Sequence, residues 1–267
     1  MPKPDGGSAA RWGPLFGARA AAWAETWEGA AGWGTPVYRH VLDRAEVDTG
    51  TRLLDCGCGA GRFARMAAER GAEVAGIDAS EELIRIAASG LPEGEFQAGD
   101  IEALPWEDDS FDVVTGLSAF QFADDKVRAL REAQRVSRDS VVVVVPARAP
   151  ESGIAAVVKP LFPHYAEEVL ESMRESGMFA LSEPGKLDEV LAAAELNPYA
   201  DDELESPIVF ESVDVAERAF MAAGPLQPAI RNAGEAAVAE SVRAALGPFV
   251  EGARVVLPAW YRAAFTR

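Results

Sequence analysis

The stretch Leu53-Leu54-Asp55-Cys56-Gly57-Cys58-Gly59-Ala60-Gly61 restricts what this chain can fold into more than any other. Its apolar start and the acid at Asp55 read as a short buried strand. Three glycines at alternate positions then free the backbone for φ values closed to other residues and let a ligand come close to it. Residues 62–70 are alanine-rich and amphipathic, so the chain continues as a helix, and Gly71 stops it. Strand, glycine turn and helix in that order make a ligand-binding loop. A dinucleotide turn of the G-x-G-x-x-G kind needs its third glycine at position 62, where Arg62 stands. The pattern here is instead Asp-x-Gly-x-Gly-x-Gly.

Downstream, strands and helices alternate: strand 52–55, helix 60–70, strand 73–77, helix 80–89, strand 94–98, strand 111–117, helix 124–136 and strand 140–145. Such alternation predicts an α/β fold with a parallel sheet covered by helices on both faces. Ser80, followed by Glu82 and Leu83, starts a helix just after Asp78. Ligands of such sheets sit at the carboxyl ends of the strands, where Asp55, Asp78, Asp100 and Leu117 all fall.

In these features the chain resembles the class I S-adenosylmethionine (SAM) dependent methyltransferases, specifically the small-molecule group that includes the ubiquinone and menaquinone methyltransferases. Four ordered matches carry the resemblance beyond the glycine loop: residues 74–78, ending in Asp78; residues 98–106, containing Gly99 and Asp100; residues 110–118; and the helix and strand over 130–145. The resemblance implies a Rossmann-like fold with a seven-stranded, mostly parallel sheet whose last strand inserts antiparallel beside strand five, plus a helical N-terminal lid and a cap after strand five. It also implies SAM as cofactor and S-adenosylhomocysteine as product. The loop (Asp55, Cys56, Gly57, Gly59, Gly61) would wrap the methionine part. Asp78 would hold the ribose hydroxyls and Asp100 would meet the adenine amino group, and Ala79, Gly99, Ile101 and Leu117 would also bind the cofactor. Asp55 has a second reading, as an acid that caps backbone amides, and Asp100 another, as a turn residue.

The formal charge of −18 disfavours nucleic acid as a partner, because phosphate binding needs a basic surface. The same charge also serves solubility. The amino-methylating motif Asn/Asp-Pro-Pro-Tyr/Phe is absent after strand four, which disfavours base N-methylation. There is no run of about 18 apolar residues, so no membrane span is expected, and no secretory signal is apparent, which makes the cytoplasm the expected location. Cys56 and Cys58 lack the companions of a zinc site, so no metal is expected, and they read as small loop residues, with a redox pair as the alternative.

The expected organisation is an N-terminal helical lid segment over 1–50, a SAM-binding core over 51–146, a cap insertion over 147–180 and a C-terminal completion of the core over 181–267. Residues 1–10 read as a mobile end. Trp12, Phe16, Trp23, Trp27 and Trp33 crowd the next stretch; Trp23 and Trp27 share a helix face, and the segment either packs on the core or closes over the ligands. A helix is expected over 37–42. After Pro146 come a short acidic helix (166–175), a helix to 196, a strand near 199–204, and helices near 213–222 and 234–246. A last strand is read over 255–265, with Pro258 at its start or in a bulge.

Methyl transfer from a sulfonium is a displacement in which positioning and water exclusion supply most of the acceleration. A general base is needed only for a hydroxyl or an acidic carbon, so catalytic residues are hard to name. His164 and Gln121 are the candidates: His164 as a base in the cap, Gln121 as a hydrogen-bonding group after strand four. His40, near the loop, is a weaker one. The expected function is methyl transfer to an oxygen or carbon of a small-molecule acceptor by a monomer or homodimer, without nucleic acid or membrane. The alternative keeps the SAM pocket but assigns cyclase, decarboxylase or regulatory roles, since a SAM loop reports binding and not turnover.

Overall fold

The valine run 141–145 is apolar on both sides, and a strand of that kind has to lie inside a sheet covered on two faces. The computed structural model, which describes residues 7–29 and 33–267, places it there. In chain order the elements are α1 (Gly7–Gly17), α2 (Ala20–Thr26), α3 (Thr35–Arg44), β1 (Arg52–Cys56), α4 (Arg62–Ala68), β2 (Glu73–Asp78), α5 (Glu81–Gly90), β3 (Glu95–Ala98), β4 (Phe111–Leu117), α6 (Lys126–Val136) and β5 (Ser137–Ala147). Then follow α7 (Gly153–Val158), α8 (Glu167–Glu175), α9 (Lys186–Ala193), β6 (Pro198–Glu205), β7 (Ile208–Phe210), α10 (Val213–Ala222), α11 (Gln227–Ala233), α12 (Glu235–Leu246), β8 (Val250–Glu251), β9 (Arg254–Leu257) and β10 (Trp260–Thr266).

The seven-stranded sheet has the order β3-β2-β1-β4-β5-β10-β6. Strands β1 to β5 pair in parallel, and β10 runs antiparallel between β5 and β6, with Ala263 opposite Val144 and Asp202. Because side chains alternate along a strand, Leu54, Val114, Val141 and Val143 face one layer. There they pack on Ala129, Leu130 and Ala133 of α6 and on Leu187 and Leu191 of α9. Leu53, Val113, Val142 and Val144 face the other layer, with α3, α4, α10 and α12 over them. Helix α5 starts as Ser80 indicates, its hydroxyl accepting from the Leu83 amide at 3.2 Å, and the Asp125 carboxylate caps α6 through the Arg128 amide at 2.9 Å.

Three expectations change. Residues 7–10 are not a loose end but the first turns of α1, and the rest of that stretch lies outside the described residues. The span 255–265 is two strands, because Pro258, which has no amide hydrogen, stands between them. The first of the two, β9, joins a separate sheet of order β7-β9-β8. The C-terminal part also does more than complete the main sheet. It adds α11, and its α10 packs against α2 through the Trp27 indole, which donates to the Ala219 carbonyl at 2.7 Å and lies edge-on to Phe210 and Phe220. Among the described residues no helix is long and apolar enough to cross a membrane.

Candidate active site

At the end of β1 the chain turns over Gly57 (φ 72°) and Gly59 (φ 56°), left-handed values that suit glycine. The amides of Gly57 and Cys58 both donate to the Ile77 carbonyl, at 2.7 and 3.1 Å, which fastens the turn to β2. Asp78 closes β2 from the other side: its carboxylate accepts from the Gly59 amide at 3.0 Å and from the Ser80 amide at 2.8 Å. The turn is crowded by the protein itself. A Cβ on Gly57 would stand 2.5 Å from the Ala119 methyl, and one on Gly59 would stand 2.2 Å from Glu28 Oε1.

A cavity opens where the strand order reverses between β1 and β4, the place such sheets offer to ligands. The residues expected there from sequence that line it are Asp55, Gly57, Gly59, Asp78, Ala79, Gly99, Asp100, Ile101 and Leu117. Trp12, Phe16, Trp23, Trp27 and Trp33 form its aromatic roof, so the N-terminal segment packs on the core and covers the cavity at once. Ser118, Gln121 and Phe122 form one wall, and Ile154, Met178, Pro225 and Tyr261 complete it from the chain beyond β5.

Cys56 and Gly61 do not line the cavity. The Cys56 side chain is buried in the core beside Ile77 and Val114, and Gly61 supplies the left-handed turn into α4 against Ala87. His164 does not face it either. Its ring meets the Ser241 hydroxyl at 2.8 Å and its carbonyl accepts from Asn232, because the cap turn carries it onto the C-terminal helices. His40 turns the other way, to Asp202 at 2.9 Å.

Sequence reasoning missed Glu28. Its carboxylate reaches across to the glycine loop and accepts from the Ala60 amide (2.8 Å), the Arg62 amide (3.2 Å) and the Trp23 indole (2.7 Å). The roof is thereby tied to the first turn of α4. At its other end, α1 rests on Asp100, whose carboxylate accepts from the Ser8 hydroxyl at 3.2 Å and the Ala9 amide at 3.3 Å. Arg11 ties α1 to the turn before α6 by ion-pairing with Asp124, and to the cap by bonding the Ser172 hydroxyl at 2.8 Å.

The charged groups lining the cavity are carboxylates. Burial pushes Glu28 and Asp78 above the usual carboxylate range, against the pull of the amides that bond them. Asp55 is pushed up to about 8, chiefly by burial and further by the charges of Glu28 and Asp78, while the Thr115 hydroxyl (3.1 Å) opposes the shift. Unfolded, it would ionise near 4. Its contribution to stability is therefore complete below about pH 4 and is lost as pH rises through about 8. An Asp55→Asn variant lacks that loss. Its thermal midpoint is expected to exceed the parent's clearly at pH 9 and to converge with it toward pH 5. Parallel curves for the two proteins across that range would contradict the assignment.

The sheet order, the glycine loop at its reversal point and the acids closing the neighbouring strands are those of the class I methyltransferase fold. Residues 54–145 match the family described as "Methyltransferase domain". It is similar to the uncharacterized methyltransferase YcgJ of Bacillus subtilis, 35% identical over 120 residues, 43% of this chain and 47% of that protein. It is also similar to a malonyl-[acyl-carrier protein] O-methyltransferase of Serratia marcescens, 31% identical over 121 residues, 45% of this chain and 48% of the relative. A demethylmenaquinone methyltransferase of Thermotoga maritima is 38% identical over 87 residues, 32% of this chain and 38% of the relative. The chain thus spans less than half the length of each. The crystal structure of YcgJ aligns over 86% of this chain and 96% of that one, with a TM-score of 0.56 at 20% identity, a likeness of fold.

Proposed function

We propose that the protein transfers a methyl group from SAM to an oxygen or carbon of a small-molecule acceptor. The observation that carries this reading is that Asp78, closing β2, and the backbone of Gly57 and Gly59 open into one cavity under an aromatic roof. The residues fit the cofactor. Asp78 uses its two oxygens on amides and keeps lone pairs for ribose hydroxyls. Gly57 and Gly59 line the cavity where the aminoacyl end would lie, beside Ala119 and Glu28. Asp100 serves the adenine amino group once the first turn of α1 yields its place there. The surrounding carboxylates favour a cation over a neutral ligand of the same shape. When bound, the cofactor supplies a methyl group activated by its sulfonium.

The chain's own part is to orient and to exclude water. Trp12, Phe16, Trp23 and Phe122 pack ring against ring, at centroid distances of 4.9 to 6.1 Å, and shield the cavity. Shielding favours the transfer because a hydrated nucleophile attacks poorly. Calorimetry with SAM and with S-adenosylhomocysteine is expected to show binding at micromolar concentration, and no binding of either would remove the basis of this reading. Labelled methyl should then pass from SAM to at least one member of a panel of phenols, quinols and carboxylic acids. Binding without transfer to any of them would favour a non-methylating role.

A further inference from the structure

The wall of the cavity after β4 carries polar groups that the cofactor reading leaves unused. Gln121 is completely buried, and neither end of its amide has a partner. Ser118 holds a left-handed backbone (φ 58°), which a residue other than glycine seldom adopts, and its buried hydroxyl is also unpartnered. The buried indole Nε1 of Trp12 is a third such group. All three residues line the same cavity. Buried polar groups in folded proteins nearly always find partners. Several unmet in one cavity, one of them on a strained backbone, indicate a ligand that meets them.

The surroundings narrow its chemistry. Phe122 lies edge-on to Trp12 at 4.9 Å and to Phe16 at 5.6 Å, so the polar groups sit among flat apolar faces. No lysine, arginine or histidine lines the cavity among the described residues, whereas Glu28, Asp55, Asp78 and Asp100 do. A carboxylate or phosphate would find no counterion there, an unfavourable exchange for its hydration.

Building on the methyl-transfer reading, we propose that Trp12, Ser118 and Gln121 form the acceptor subsite and that it takes an uncharged, flat aromatic molecule through a phenolic hydroxyl. The Gln121 carbonyl oxygen accepts a hydrogen bond from the hydroxyl, which keeps its proton. Its amide nitrogen, the Ser118 hydroxyl and the Trp12 indole donate to oxygen on the ring.

The test is calorimetry on the full chain saturated with S-adenosylhomocysteine, titrated with 1-naphthol, naphthalene and 1-naphthoate. Binding of 1-naphthol is expected to be at least tenfold tighter than that of either other probe. In Gln121→Leu its advantage over naphthalene should shrink to threefold or less while naphthalene still binds. The ligand-free variant should melt no lower than the parent, since it loses an unmet amide, whereas a structural glutamine would lower it. Ser118→Ala gives a second reading of the same loss. The proposal is overturned if naphthoate binds as tightly as naphthol, if naphthol does not bind, or if both variants keep the naphthol preference. Failure of S-adenosylhomocysteine itself to bind would instead overturn the methyl-transfer reading on which this one rests.

Discussion

In a Glu28→Ala variant the N-terminal helices lose their hold on the glycine loop, and the thermal midpoint falls by several degrees. The Glu28 carboxylate, 9% exposed, bonds the Ala60 amide, the Arg62 amide and the Trp23 indole, and alanine removes the acceptor these three share. Hydrogen bonds to a charged group contribute about 1.5–3 kcal/mol each. The cost of burying that charge offsets part of this, so a net loss of about 2–4 kcal/mol is expected. Denaturant or thermal melts measure it, and limited proteolysis should show new cuts N-terminal to α3. Glu28→Gln, which retains one accepting oxygen, should lie between variant and parent. A midpoint within a degree of the parent's, with unchanged proteolysis, would mean that the roof is held by its aromatic packing alone.

Asp78→Ala should leave the fold in place and raise the dissociation constant for SAM roughly tenfold to a hundredfold, the equivalent of about 1.5–3 kcal/mol. Two effects combine in it. The ribose loses a carboxylate partner, and the Gly59 and Ser80 amides lose the acceptors at 3.0 and 2.8 Å that shape the loop. Asp78→Asn separates them, because its carbonyl oxygen can still accept from one amide while the negative charge is gone. Affinity unchanged in both variants would show that the ribose binds elsewhere.

The parts of this structure legible in the sequence are those set by local chemistry. The apolar runs of β1, β2, β4 and β5, the glycines that need positive φ, and the Ser80 cap each follow from residues a few positions apart. The seven strands of the main sheet were anticipated for that reason, and the resemblance supplied the place of β10. Other features depend on long-range pairing. Glu28 follows a run of alanines and tryptophans with nothing nearby to mark it, and its partners at Ala60 and Arg62 are brought to it only by the folded core. The small sheet rests on β7 and β9 meeting across the three intervening helices α10, α11 and α12, and the three-residue β7 is too short to show a period of two. His164 drew notice for its chemistry, and packing against Ser241 decided its place. Gln121 stood out as a hydrogen-bonding group after strand four, and the buried, unmet state of its amide is visible only in the fold.

Strand β10 has a consequence for how the molecule is made. It lies between β5 and β6, so residues 137–147 remain an open apolar border until the segment 260–266 has been synthesised, and β6 has no sheet to join before then. A ribosome-bound intermediate therefore carries an exposed edge rich in valine from the synthesis of β5 until that of β10, a template for pairing with other chains. Expression that favours slow growth or chaperone supply should raise the yield of intact protein for that reason, and a substitution that weakens the Ala263 pairing should be felt as aggregation before it is felt in the finished fold.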